Sequence, residues 1–306
     1  MYSGYYDYLF LHLIQSYSNS FLDSLMMAVT YLGDPLFWLL IAAIIYWSGR
    51  EKEAFHLVNL LVFVVICAGM LKFFFLRARP SVTVFRVLMK EQLAYSFPSG
   101  HTAIIGGVFG YLYKRTAMIL TIGLIAAVLL VAYSRLYLGV HFPSDIIGGI
   151  ILGFFVGRIN VKINKRFRKA KFRLTELEDE LILVLIIVVT LILLFVIGDY
   201  ADVALFLGFY AGFFIVKETK HQTTYLKGRN LIIKEVIGLG AIGIAFIPLL
   251  MFPYMRMPFQ FIIKFCVGLW ISLLFPFIFE QILESRRSGV KITIYKLLKI
   301  KERIKE

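Results

Sequence analysis

The chain has 306 residues, is 60% hydrophobic and 16% aromatic, and carries only 17% charged residues, which excludes an ordinary soluble domain of this length. Its formal charge of +14 does not point to nucleic acid, because Lys and Arg crowd into short connections between apolar runs, as in a polytopic membrane protein. The two cysteines, Cys67 and Cys266, both lie inside apolar runs and are expected as small buried hydrophobes rather than as a disulfide.

In chain order, residues 1–34 come first. They are rich in tyrosine, and Asp7, Asn19, Asp23 and Asp34 interrupt every apolar stretch. They are expected to form an amphipathic interfacial segment rather than a span. Spans are then expected over 35–48, 54–76, 100–113, 116–134, 143–158, 181–198, 201–216, 231–252 and 259–282, about nine in all. The fold class is all-α, a polytopic membrane helical bundle. A charged linker at 161–180, basic first and acidic after, separates a core at 35–160 from a four-helix region at 181–282, and a basic tail occupies 283–306.

Positive charge orients this layout. Arg50 and Lys52, then Lys114 and Arg115, then eight Lys or Arg from Arg158 to Arg173 fall on alternate connections. Lys217, Lys220, Lys227, Arg229 and the tail share their side. The positive-inside rule puts that side, with the C-terminus, in the cytoplasm of a cell inner or plasma membrane. The opposite, extracytoplasmic connections carry few cations, and three of those few belong to motifs.

The first motif is Lys72-x6-Arg79-Pro80. Seven residues are about two helical turns, so both cations share a face if the helix persists. Pro80 disfavours the α region at Arg79, where the helix is expected to end. Arg77 is read as a helix-end anchor with its head at the interface. The second motif, Pro98-Ser99-Gly100-His101, is a turn with Ser99 as N-cap at a helix start, where free backbone N–H groups favour phosphate. His101 is placed to protonate a leaving oxygen. The third, Ser134-Arg135-x5-His141-x3-Asp145, supplies a bidentate phosphate ligand in Arg135. In it Asp145 reaches back to one nitrogen of His141, which leaves the other free to attack phosphorus. Beyond it, Gly149, Gly153 and Gly157 form a small-residue face expected to pack tightly against a neighbouring helix.

In this order the motifs resemble the signatures of the type 2 phosphatidic acid phosphatase superfamily, whose helical core is shared with vanadium haloperoxidases. The resemblance implies a metal-independent phosphomonoesterase without cofactor that works through a phosphohistidine. His141 would be the nucleophile, Asp145 its orienter and His101 the general acid, with Lys72, Arg79, Ser99, Gly100 and Arg135 around the phosphate. The nine-span layout with an outer N-terminus resembles the glucose-6-phosphatase and sphingosine-1-phosphate phosphatase branches in topology. The expected partners are a lipid phosphate drawn from the bilayer and the membrane lipids, with self-association left open and nucleic acid excluded. Two alternatives stand beside this reading: a soluble phosphate ester as substrate, or a non-catalytic lipid transporter on the same scaffold.

Overall fold

The computed structural model describes residues 5–89, 95–169, 188, 200–218, 228–252 and 256–288. The named elements are helical, with one isolated antiparallel bridge between Ala78 and Tyr95. In chain order they are α1 (Tyr5–Gln15), α2 (Ser20–Thr30), α3 (Pro35–Trp47), α4 (Glu51–Phe75), α5 (Gly100–Leu112), α6 (Met118–Tyr137) and α7 (Pro143–Lys169). There follow α8 (Tyr200–Glu218), α9 (Arg229–Met251), α10 (Met257–Leu269) and α11 (Phe275–Ser288), with a π-helical turn at Trp270–Leu274 between the last two.

Among the described residues five helices are long and apolar enough to cross a membrane, or six if one bent pair counts as a span. That pair, Ser20–Gly33 with Pro35–Trp47, bends by 56°. The bend is local chemistry: Asp34 Oδ1 accepts the Leu36 N–H at 2.7 Å, and Pro35 at the first helical position has no N–H to lose. α2, in the C-terminal half of the expected interfacial segment, thus meets α3 at this bend, and the two are apolar enough to cross a membrane only when taken together. The expected spans at 100–113 and 201–216 are the shorter helices α5 and Val203–Val216; 181–198 lies almost wholly outside the described residues. α7 runs on to Lys169, into the expected linker.

Helices α5 and α7 form the tightest contact. A Cβ at Gly106 would meet the Ile150 carbonyl at 2.9 Å, and one at Gly149 would meet the Ser99 carbonyl at 2.5 Å. Added carbons at Gly153 and Gly157 would overlap the carbonyls of Ala103 and Gly107. The glycine face expected from the sequence thus brings two backbones into contact. The α4 side chain Val64 packs over Gly107, and α6 closes the opposite side through Val128 and Val131 against Ile105.

The same device recurs in the second half, where Gly208 of α8 and Gly268 of α10 lie against the carbonyls of Phe265 and Leu205. One apolar core joins both halves, with Leu60, Leu61, Phe209, Ile271 and Phe275 among its buried members. Both cysteines are free, and Cys266 is exposed on the outer surface of α10 rather than buried.

Candidate active site

The antiparallel order brings four helix ends together, because α4 and α6 finish where α5 and α7 begin. The first motif sits at the end of α4, the second at the start of α5, and the third spans the end of α6 and the start of α7. The basic turns at Arg50 and Lys52 and at Lys114 and Arg115 lie at the opposite ends of the same helices.

α4 stops earlier than Pro80 alone would require. Leu76 takes a left-handed conformation, φ 48°, and its N–H bonds the Lys72 carbonyl, a C-terminal cap. Arg79 therefore lies on a loop, with Arg77, rather than on the helix face expected to carry it with Lys72. The loop is pinned by Ser96, whose N–H donates to the Arg77 carbonyl at 2.8 Å. Lys72, still helical and buried, donates from Nζ to the carbonyls of Tyr95 at 2.9 Å and Ser96 at 3.2 Å.

Ser99 occupies the N-cap position of α5, but its hydroxyl makes no capping bond. Ser99 Oγ and His101 Nε2 are both buried with no hydrogen-bond partner among the described residues. Buried polar atoms are rarely left so, and such a pair is what a site for a polar ligand presents. A Cβ at Gly100 would meet nothing within 4 Å. The Ser99 N–H instead bonds the Asp145 carbonyl at 3.0 Å, tying the second motif to the third. His101 is backed by the turn at Gly33, where an added Cβ would lie 2.8 Å from the His101 Cβ.

Arg135 is fully buried and donates from Nη1 to Thr30 Oγ1 at 2.8 Å and toward Met89 Sδ at 3.4 Å. Thr30 belongs to α2, so the N-terminal segment holds the Arg135 guanidinium. His141 Nε2 lies 3.3 Å from Arg79 Nη1, which also donates to the Val140 carbonyl at 2.9 Å. His141 Nδ1 lies 3.5 Å from Asp145 Oδ2, a contact too long for a good hydrogen bond. That oxygen accepts the Phe142 N–H at 2.8 Å instead. The expected clasp is therefore a near approach, and such contacts commonly shorten when substrate binds.

Burial pushes the His141 imidazole well below its ordinary range, with Arg79, Arg135, Lys72 and His101 adding in the same direction. The ring is neutral at pH 7, with a lone pair to offer. Burial lowers Arg79 to about 10 against the opposing pull of Asp145, so Arg79 remains a cation.

All eight motif residues named from the sequence thus converge. Three others at the site were not singled out: Thr30, Asp7 and Ser144. Arg77, read as an interfacial anchor, instead bonds Asp145 Oδ1 at 2.8 Å. Its signal was present as a second arginine two residues before Arg79, but nothing in the local sequence announces its partners.

Comparison with known proteins finds a matching family and relatives. The PAP2 superfamily profile matches residues 53–169, which contain all three motifs. An undecaprenyl-diphosphatase of Sulfolobus acidocaldarius is 31% identical over 46% of this chain and 70% of its own length. Phosphatidylglycerophosphatase B of Bacillus subtilis is 37% identical over 48% of this chain and 79% of its own. The crystal structure of a transmembrane PAP2-type phosphatidylglycerolphosphate phosphatase from Bacillus subtilis has a TM-score of 0.45 at 24% identity, covering 55% of this chain and 87% of that one. With three matching motifs gathered in one buried site and relatives aligned over most of their own length, the chain belongs to the PAP2 superfamily, whose named relatives here are phosphatases.

Proposed function

We propose that this protein is an integral-membrane phosphatase that removes phosphate from a lipid mono- or diphosphate at the extracytoplasmic face, through a phosphohistidine on His141. The observation that carries the reading is a buried imidazole, His141, whose charge is opposed by burial and by the nearby cations Arg79, Arg135 and Lys72. Lys72, Arg79 and Arg135 would hold the phosphate oxygens with Ser99 Oγ and the Gly100 N–H at the start of α5. His141 Nε2 would attack phosphorus, forming a P–N bond as the bond to the leaving oxygen breaks. His101 would give that oxygen a proton, and in the second step would take one from the water that cleaves the P–N bond. Cations aimed at the charge developing on phosphorus supply the largest part of such catalysis.

The lipid class is supported by the names of the relatives, which act on undecaprenyl diphosphate and phosphatidylglycerophosphate. The extracytoplasmic face is supported by positive-inside counting over the nine spans expected from the sequence. Arg50, Lys52, Lys114 and Arg115 sit at the far end of the helices from the site.

The test is phosphate release by purified protein in EDTA, from phosphatidic acid, phosphatidylglycerol phosphate, undecaprenyl diphosphate and glucose-6-phosphate. Release is expected from the lipids and not from the sugar phosphate. His141→Ala should abolish both turnover and acid-labile labelling of the protein by substrate phosphate. Full activity of that variant would remove the nucleophile assignment, and preference for the sugar phosphate would remove the lipid assignment.

A further inference from the structure

Asp7 and Arg77 belong to no motif, yet they stand directly behind one motif residue. Arg77 donates from Nη1 to Asp145 Oδ1 at 2.8 Å and to Ser144 Oγ at 2.5 Å, and from Nη2 to Asp7 Oδ2 at 2.7 Å. Asp7 Oδ2 also accepts from Ser144 Oγ at 2.7 Å. The ring of Phe142 covers the guanidinium, with its centroid 4.8 Å away. The side chains of Asp7, Arg77 and Asp145 are only 15%, 21% and 0% exposed. A cation that merely anchors a helix end keeps its head in water, whereas this one spans two carboxylates.

We propose that Arg77, held by Asp7, is a positioning residue that fixes the Asp145 carboxylate so that Oδ2 faces His141 Nδ1. This rests on the reading of His141 as nucleophile. With Oδ1 gripped by Arg77 and Oδ2 by the Phe142 N–H, the carboxylate has no freedom to rotate about its last torsion. Both of its oxygens are set before substrate arrives. The bridge joins α1, the loop after α4, and the first turn of α7, so a residue near the N-terminus sets a side chain at the centre of the site.

The arrangement also has an electrostatic sign. The charged and titratable groups facing His141 are Arg79 from the loop, Arg135 from α6, Lys72 from α4, His101 from α5 and Asp145 from α7. Arg77 offsets the negative charge of Asp145, and Asp7 offsets Arg77. Removing the Arg77 cation exposes His141 to a fuller carboxylate charge, so the ring protonates at higher pH. Neutralising Asp7 frees more of the Arg77 charge and moves the ring the other way.

The experiment is a pH profile of kcat and KM for wild type, Arg77→Met, Arg77→Lys and Asp7→Asn on one lipid phosphate, with His141→Ala as blank. Loss of the partner that orients a metal-ligating histidine costs about 10- to 100-fold, and by the same positioning logic Arg77→Met should lose kcat on that order with KM nearly unchanged. Its acid limb should move to higher pH, and that of Asp7→Asn to lower pH. Arg77→Lys should recover part of kcat, because Lys keeps the charge but cannot bridge two carboxylates in one plane. Titration of the substrate phosphate is common to all variants and cancels in the comparison.

Unchanged kcat and limb in Arg77→Met, or limbs moving the same way in both neutralised variants, would overturn the positioning role while leaving the phosphatase reading intact. If wild type releases no more phosphate than His141→Ala, the phosphatase reading falls and takes this inference with it.

Discussion

At the scale of single residues, the proposed mechanism depends on keeping His141 uncharged beside Arg79, Arg135 and Lys72. Below about pH 6.5, the ordinary range of imidazole, the unfolded chain takes up a proton at this residue that the folded protein refuses. Stability contributed here is therefore present above that range and lost as pH falls. The melting midpoint at fixed scan rate should drop on acidification, and His141→Gln should flatten that drop; an unchanged slope would contradict the neutral ring. Thr30 offers a second test. Its hydroxyl accepts from Arg135 at 2.8 Å, and a hydrogen bond to a charged group is worth about 1.5–3 kcal/mol. Thr30→Val should accordingly raise KM about tenfold or more, with a smaller change in kcat, because Arg135 loses its orientation but not its charge. The motif residues were legible because each short run concentrates groups that an apolar chain has no other use for. Thr30, Asp7 and Arg77 were not, because their partners lie 68 to 105 positions away, and only tertiary pairing reveals them.

At the scale of elements, glycine does two distinct things. Gly153 lets α7 touch the α5 backbone, whereas Gly100 faces open space at the head of α5. The same substitution should therefore give opposite results. Gly153→Ala forces the helices apart, and overpacking of this kind costs about 1–3 kcal/mol, read as a lower melting midpoint. Gly100→Ala should melt at or slightly above the wild-type midpoint, yet lose activity, because its methyl enters the space expected for phosphate. Equal melting of the two variants would show that the α5–α7 contact has slack. The small-residue face of α7 was legible from its spacing, but its partner was not, since periodicity marks a face without naming what meets it. The end of α4 was also misplaced from sequence. Pro80 was the visible helix breaker, and Leu76 in a left-handed cap has no sequence signature.

At the scale of the whole molecule, the question is how the second half is attached to the first. The π-helical turn at Trp270–Leu274 leaves the Ile271 carbonyl for an outside donor, and the Trp47 indole supplies it at 2.8 Å. Lys234, fully buried, donates to the Trp47 carbonyl at 3.0 Å with the Phe279 ring centroid 5.7 Å away. Tyr210 donates to Asn59 Oδ1 at 2.5 Å. These polar contacts all lie toward the end of α3 and α4 remote from the motifs. Trp47→Phe would leave the Ile271 carbonyl unpaired in an apolar setting, at a cost of about 1–3 kcal/mol. The expected result is earlier melting with kcat retained; a collapse of kcat in well-folded protein would instead tie α8–α11 to the chemistry.

The backbone contact between α5 and α7 has a further consequence for the bilayer around it. Two helices that touch through glycine have no side-chain cushion to compress, so lateral pressure from the lipid cannot easily change the spacing of His101 and Asp145. The bent pair α2–α3 and the outward face of α1 are different. Tyr6, Leu9, Phe10 and Phe21 are each at least half exposed there, and the bend gives the pair a joint at which to yield. Acyl-chain length and membrane thickness should thus be felt through Thr30 and Gly33, on the side that holds Arg135 and backs His101, and not through the α5–α7 pair. Measured across bilayers of graded thickness, KM is expected to drift while kcat stays nearly level.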